Sequence, residues 1–171
     1  MKKLVAASLM ALVLTTPSVT RTQILVEDVQ LNCLKGIYWR MSSREAVLLL
    51  QKKGYEAEEQ KENLVSTVEL FGLSTILKLH FDRSTKELDL ISTQVEKPTQ
   101  TARDSVLNHF TRTLGPPIGR ENKKQKIAIV ELDVERLKWK TRTSMVVVTI
   151  MKSGADFVNV GFVLFPSTIQ N

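Results

Sequence analysis

Few residues in this chain have the types and spacing that chemistry requires. His80, Asp82, Glu87 and Asp89 lie close together in sequence, around the turn-forming stretch DRSTK at 82–86. A histidine among carboxylates is the composition a general acid–base pair needs, and two carboxylates facing one another are what glycoside hydrolysis uses. A hairpin with polar outward residues produces the same grouping. It therefore stands as the alternative reading, a small hydrolase using His80 and nearby carboxylates, behind the expectation of no catalytic residue. The chain has 2 histidines and 1 cysteine, whereas a zinc site needs three or four converging ligands. It contains no Gly-x-Ser-x-Gly, His-Glu-x-x-His or Cys-x-x-Cys, no glycine-rich phosphate loop and no calcium-loop spacing of acids. His109 sits between apolar Leu107 and Phe110 on a helical stretch, as a packed side chain would. No metal and no cofactor is expected, and Cys33 is read as a small buried thiol.

Charge offers more. In RLKWKTR, Arg136, Lys138, Lys140 and Arg142 alternate with apolar Leu137 and Trp139 and with Thr141, and RENKKQK upstream adds Lys123, Lys124 and Lys126. Residues 21–98 carry 11 Lys/Arg and 12 Asp/Glu, whereas residues 99–171 carry 11 and 6, so the net charge of +6 is concentrated in the second half. Alternate residues on one strand face stand about 6.6 Å apart, twice the rise per residue. Repulsion at that separation in water is roughly 0.6 kcal/mol per pair. A few cross-strand acids would offset it. An idle stripe is thus physically affordable, and the seven basic residues are a candidate binding surface for an anionic partner.

The elements that position these residues follow from periodicity. Ser42 with Glu45 has capping-box spacing, a short apolar run follows, and Gly54 can close the helix after Lys52 and Lys53. TARDSVLNHFTRTLGPP begins a second helix at Thr101, which Gly115 and two prolines end. The first helix is followed by YEAEEQKE, LVSTVELFGLSTILKLHFD and ELDLISTQVE. The second is followed by KIAIVELDVERLKWKTR, SMVVVTIMK and DFVNVGFVLF, and all six segments read as antiparallel strands. The predicted fold is α+β and two-layer: two αβββ-like units share one antiparallel sheet, with both helices on one face. Leu137 and Trp139 then face the helices, and the stripe faces solvent.

The opening MKKLVAASLMALVLTTPSVT has the layout of a secretory signal peptide, two lysines and an apolar run from Leu4 to Leu14 before small residues. That run is shorter than the roughly 20 residues a membrane span requires. The expected organisation is a signal peptide over 1–20, an N-terminal extension over 21–40, and a single α+β domain over 41–171 with units at about 41–98 and 99–171. Export places the mature chain in the periplasm or outside the cell, with no transmembrane anchor after signal removal, and removes nucleic acid as a partner.

The segment GIYWRMSSREAVLLLQKKGY, with its Met-Ser helix start, closing glycine and a later strand tryptophan, resembles the opening helix of exported bacterial domains built from a helical segment and strands. These are the outer-membrane assembly lipoproteins of the small-protein-A type and, with the unit doubled, the β-lactamase inhibitory proteins. The resemblance covers about residues 36–165 as an order of elements. It implies a fold and a habit of binding proteins through the sheet or its loops. The chain lacks the lipid-bearing cysteine of the first group and the several cysteines and abundant sheet aromatics of the second, so it implies no functional residue. The expected function is an exported non-enzymatic binding domain. It would recognise another envelope or secreted protein, or an anionic envelope component, through the exposed sheet face. A homodimer that sets the Glu56, Glu58 and Glu62 face against the stripe is the self-associating form of that reading.

Overall fold

The computed structural model describes residues 24–26 and 29–167, so the signal-peptide reading of residues 1–20 lies outside the described residues. Strands β1 (Ile24–Leu25) and β2 (Tyr38–Trp39) form a small antiparallel pair. The main body runs α1 (Ser43–Lys52), β3 (Glu58–Gln60), β4 (Asn63–Leu70), β5 (Leu73–Phe81), β6 (Leu88–Val95), α2 (Gln100–Leu114), β7 (Gly119–Ile127), β8 (Val130–Lys140), β9 (Ser144–Ser153) and β10 (Asp156–Pro166). The last eight strands in space form one sheet of order β3-β4-β5-β6-β10-β9-β8-β7, antiparallel at every junction.

Local signals account for the helices. The Ser42 hydroxyl accepts from the Glu45 N–H, and the Glu45 carboxylate accepts from the Ser42 N–H at 2.8 Å, which completes a capping box. Thr99 caps α2 by accepting from Ala102 N–H at 3.1 Å, and Gly115 ends it with φ 80°. Ala46 and Leu50 of α1 and Ala102, Val106 and Phe110 of α2 enter the same core cluster, so both helices cover one face of the sheet.

Each unit holds four strands rather than three. LVSTVELFGLSTILKLHFD is two strands, because Phe71 and Gly72 adopt φ of 58° and 72° and turn the chain as a two-residue hairpin. The Phe71 ring offsets that unfavourable backbone by packing 4.7 Å from the His109 ring and 6.4 Å from the Phe110 and Phe162 rings. In the second unit, GRENKKQKI is a strand of its own, β7, paired along its whole length with β8. Its polar residues alternate with more polar residues, so it carries no strand periodicity.

The N-terminal extension is part of the core. Val26, Val29, Cys33, Leu34, Ile37 and Trp39 are almost wholly buried, each large apolar side chain contributing roughly 1.5–3 kcal/mol. Lys53, just beyond α1, donates to the carbonyls of Asn32, Cys33 and Lys35 at 3.0, 3.0 and 2.5 Å and holds this segment down. Burial pushes the Cys33 thiol up to about 11, so it is a packed side chain and not a thiolate nucleophile.

Candidate binding face

Register divides the basic residues between two surfaces. The pairs Lys138 with Gly119, Arg136 with Glu121 and Val134 with Lys123 put Arg136, Lys138, Lys140 and Lys123 on the sheet face away from the helices. Leu137 and Trp139 alternate to the helix side, where Trp139 is 1% exposed and its ring lies 5.7 Å from Phe110. Three residues leave the predicted surface. Lys124 and Lys126 fall in the opposite register to Lys123, on the helix side of β7, and Lys124 Nζ lies 2.7 Å from Glu131 Oε1. Arg142 follows the end of β8 in the loop to β9, beyond the strand alternation that would have aligned it.

Glu121 is the only acidic side chain that the β7–β8 register places on this outer face. Its carboxyl is held below the usual glutamate range, first by its bond to Lys123 and further by the charges of Lys123, Lys138 and Arg136. One acid thus serves three of the four cations, the cross-strand offset expected for a stripe that would otherwise repel itself.

The outer face carries an apolar belt that alternation alone does not reveal. One continuous row reads Glu58, Val65, Lys78, Ser92, Val163, Val147 and Lys138 across seven strands, and Phe165 pairs with Met145, which pairs with Lys140. Val147, Val163 and Met145 are half-buried and Phe165 is exposed. The centre of the face is therefore apolar, with Lys138 and Lys140 on one flank and Lys78 and His80 on the other. The readable signal was the near-continuous apolar run in Met145–Val148 and Phe162–Phe165, since a strand solvated on one face should alternate more strictly.

The group considered for acid–base chemistry is held by two separate sets of hydrogen bonds. His80 Nδ1 lies 2.7 Å from Asp89 Oδ1 across β5 and β6. Asp82 Oδ1 instead accepts from the Ser84 and Thr85 amides at 2.9 Å each and from the Ser84 hydroxyl at 2.5 Å. Those bonds hold its carboxyl well below the usual range, the Ser84 hydroxyl first among them. Asp82 is thereby committed to shaping the β5–β6 turn. Glu87 enters the same turn through its backbone, its carbonyl accepting from Asp82 N–H at 2.9 Å.

On the helix side, a cleft of about 430 Å³ beside α2 is lined in part by Arg103, Lys124, Asp133, Glu135 and Lys152. Its charges answer one another: Glu135 lies 3.2 Å from Arg103 and 2.7 Å from Arg120. The Nε2–H of His109 donates to the Val29 carbonyl, 2.9 Å away, and so ties α2 to the N-terminal segment. Among the described residues no cluster of three or more His, Cys, Asp or Glu is placed to hold a metal ion, and no helix is long and apolar enough to cross a membrane.

Comparison of the chain with models of protein families, with curated proteins and with solved structures found no match.

Proposed function

We propose that this protein is an exported, non-enzymatic binding domain whose outer sheet face recognises another envelope or secreted protein with an acidic surface. The observation that carries the reading is the belt of Val147, Val163, Met145 and Phe165 on the sheet face away from the helices, flanked by Lys138 and Lys140. Apolar residues including Met and Phe at the centre, with charge around them, are the anatomy of a protein interface. Monomeric proteins seldom leave a contiguous patch of that kind without a use. The basic flank speeds encounter and selects an acidic partner, and its contribution falls as salt rises.

The test is affinity capture from the envelope fraction at low and high salt, followed by titration of the captured protein against variants. Lys138→Glu with Lys140→Glu is expected to weaken binding by roughly tenfold or more at low salt, with little change in melting temperature, since rim charges act on association. Val163→Asp should abolish binding at either salt. Undiminished binding by both variants would remove the outer face from the account.

A further inference from the structure

The two units contain the same hairpin built from different residues. In the first, β3 and β4 are joined by Lys61 and Glu62 between Gln60 and Asn63. In the second, β7 and β8 are joined by Ala128 and Ile129 between Ile127 and Val130. The first residue of each turn has nearly the same left-handed backbone, φ 55° at Lys61 and 53° at Ala128. The fold therefore does not need apolar residues at this turn, and glycine or asparagine would suit the backbone better. Yet Ile127, Ile129 and Val130 are 51%, 92% and 43% exposed. No other stretch of four described residues exposes so much large apolar side chain.

The hairpin also projects. Pairing of β8 with β9 begins at Asp133; beyond it Leu132 is buried, while Val130 and Glu131 are exposed and paired with β7, a reach of about 10 Å at 3.3 Å per residue. Lysines stand directly behind the tip on both sides: Lys123 on the outer face, Lys124 and Lys126 on the other. Glu121 pairs with Lys123 and Glu131 with Lys124, which leaves the segment Arg120–Glu131 at a net charge of +2, from four basic and two acidic residues.

From this arrangement we infer that the β7–β8 hairpin is a membrane-docking finger: Ile127, Ile129 and Val130 enter the interfacial region of an anionic bilayer while Lys123 and Lys126 meet its headgroup phosphates. A convex apolar tip suits a fluid interface, which needs no preformed pocket, and cations a few residues behind it lie at headgroup depth. The inference does not rest on the apolar belt of the outer sheet face, although Lys123 stands on that face as well.

The experiment uses the full chain with vesicles of phosphatidylcholine alone or mixed with phosphatidylglycerol. Because Leu4–Leu14 is itself apolar, the reading comes from variants rather than from binding alone. Ile129→Asp should weaken binding to the mixed vesicles roughly tenfold or more, from lost apolar burial. Lys123→Glu with Lys126→Glu should weaken it by about 25-fold, with little effect on phosphatidylcholine. Ile129→Trp supplies a direct report, since Trp39 and Trp139 are buried: its emission should shift to the blue on the mixed vesicles and be quenched by brominated lipid. An unshifted indole, or binding that none of these variants alters, would overturn the proposal. So would capture of a soluble protein through Ile129 without any vesicle effect. Sheet-face binding should survive Ile129→Asp, so the two proposals fail separately.

Discussion

The indole N–H of Trp139 donates to the carbonyl of Gly115 at 2.9 Å, tying the strand that carries Arg136, Lys138 and Lys140 to the end of α2. The stripe thus stands on a strand whose reverse side is anchored twice, by this bond and by the Phe110 ring 5.7 Å away. A rigid strand presents charge in one geometry, which makes it useful to a partner.

Trp139→Phe keeps most of the ring packing and removes the bond to Gly115. It should cost about 1–2 kcal/mol, the net worth of a hydrogen bond plus the partly buried carbonyl left without it. Trp139→Ala, which also leaves a cavity, should cost about 3–5 kcal/mol. Urea unfolding midpoints check both, and equal losses from the two variants would show that the hydrogen bond, not packing, dominates.

Gly161 sits where the two units meet, on β10 opposite Gln94 of β6. A Cβ there would lie 2.1 Å from the Thr93 carbonyl oxygen, a backbone atom that can move only by opening the junction. Gly161→Ala should therefore destabilise the fold by about 3 kcal/mol. Gly119→Ala is the control, because its Cβ would meet Lys138 at an ordinary 3.8 Å. Matching unfolding curves for the two variants would contradict this account.

Stability should fall at acid pH in part through Glu45. The Ser42 amide, then the Tyr38 and Ser42 hydroxyls, hold its carboxyl below the ordinary glutamate value of 4.5. A folded value below the unfolded one means that the stabilisation is complete above 4.5 and is lost as pH drops through the folded value. Glu45→Gln keeps an acceptor for the Ser42 N–H and removes this titration. Its melting temperature should vary less with pH below 4.5 than that of the unaltered chain, with a residual slope from Asp82, whose carboxyl is lowered in the same way. Identical profiles would exclude Glu45 as a contributor.

The legible parts of this molecule are those whose signals are local. Ser42 with Glu45 and Gly115 before two prolines state helix ends within a few residues, because capping bonds span only a turn, whereas α2 starts at Gln100 under a Thr99 cap, ahead of the predicted start at Thr101. The alternation of Leu77, Leu79 and Phe81 with Lys78 and His80 identifies a strand and its buried side. The turn at Phe71–Gly72 was hidden because a bulky residue in left-handed backbone is not a turn signal; it is tolerated there through contacts with His109, Phe110 and Phe162, all distant in sequence. The burial of Val26, Val29, Cys33, Leu34, Ile37 and Trp39 was hidden for a similar reason, since Lys53 meets its carbonyl partners only in the fold.

By itself, then, the sequence determined the class, an α+β chain with capped helices feeding antiparallel strands, and the presence of a basic second unit. Only the tertiary structure decided which lysines share a surface. Side-chain direction in a strand reverses with each residue, so Lys123 joins Arg136, Lys138 and Lys140 while Lys124 crosses to Glu131 on the other side. It likewise decided that Val147 and Val163 stand beside those lysines and that Ile129 stands at a projecting tip. Both depend on the register between successive strands, which local propensity does not encode.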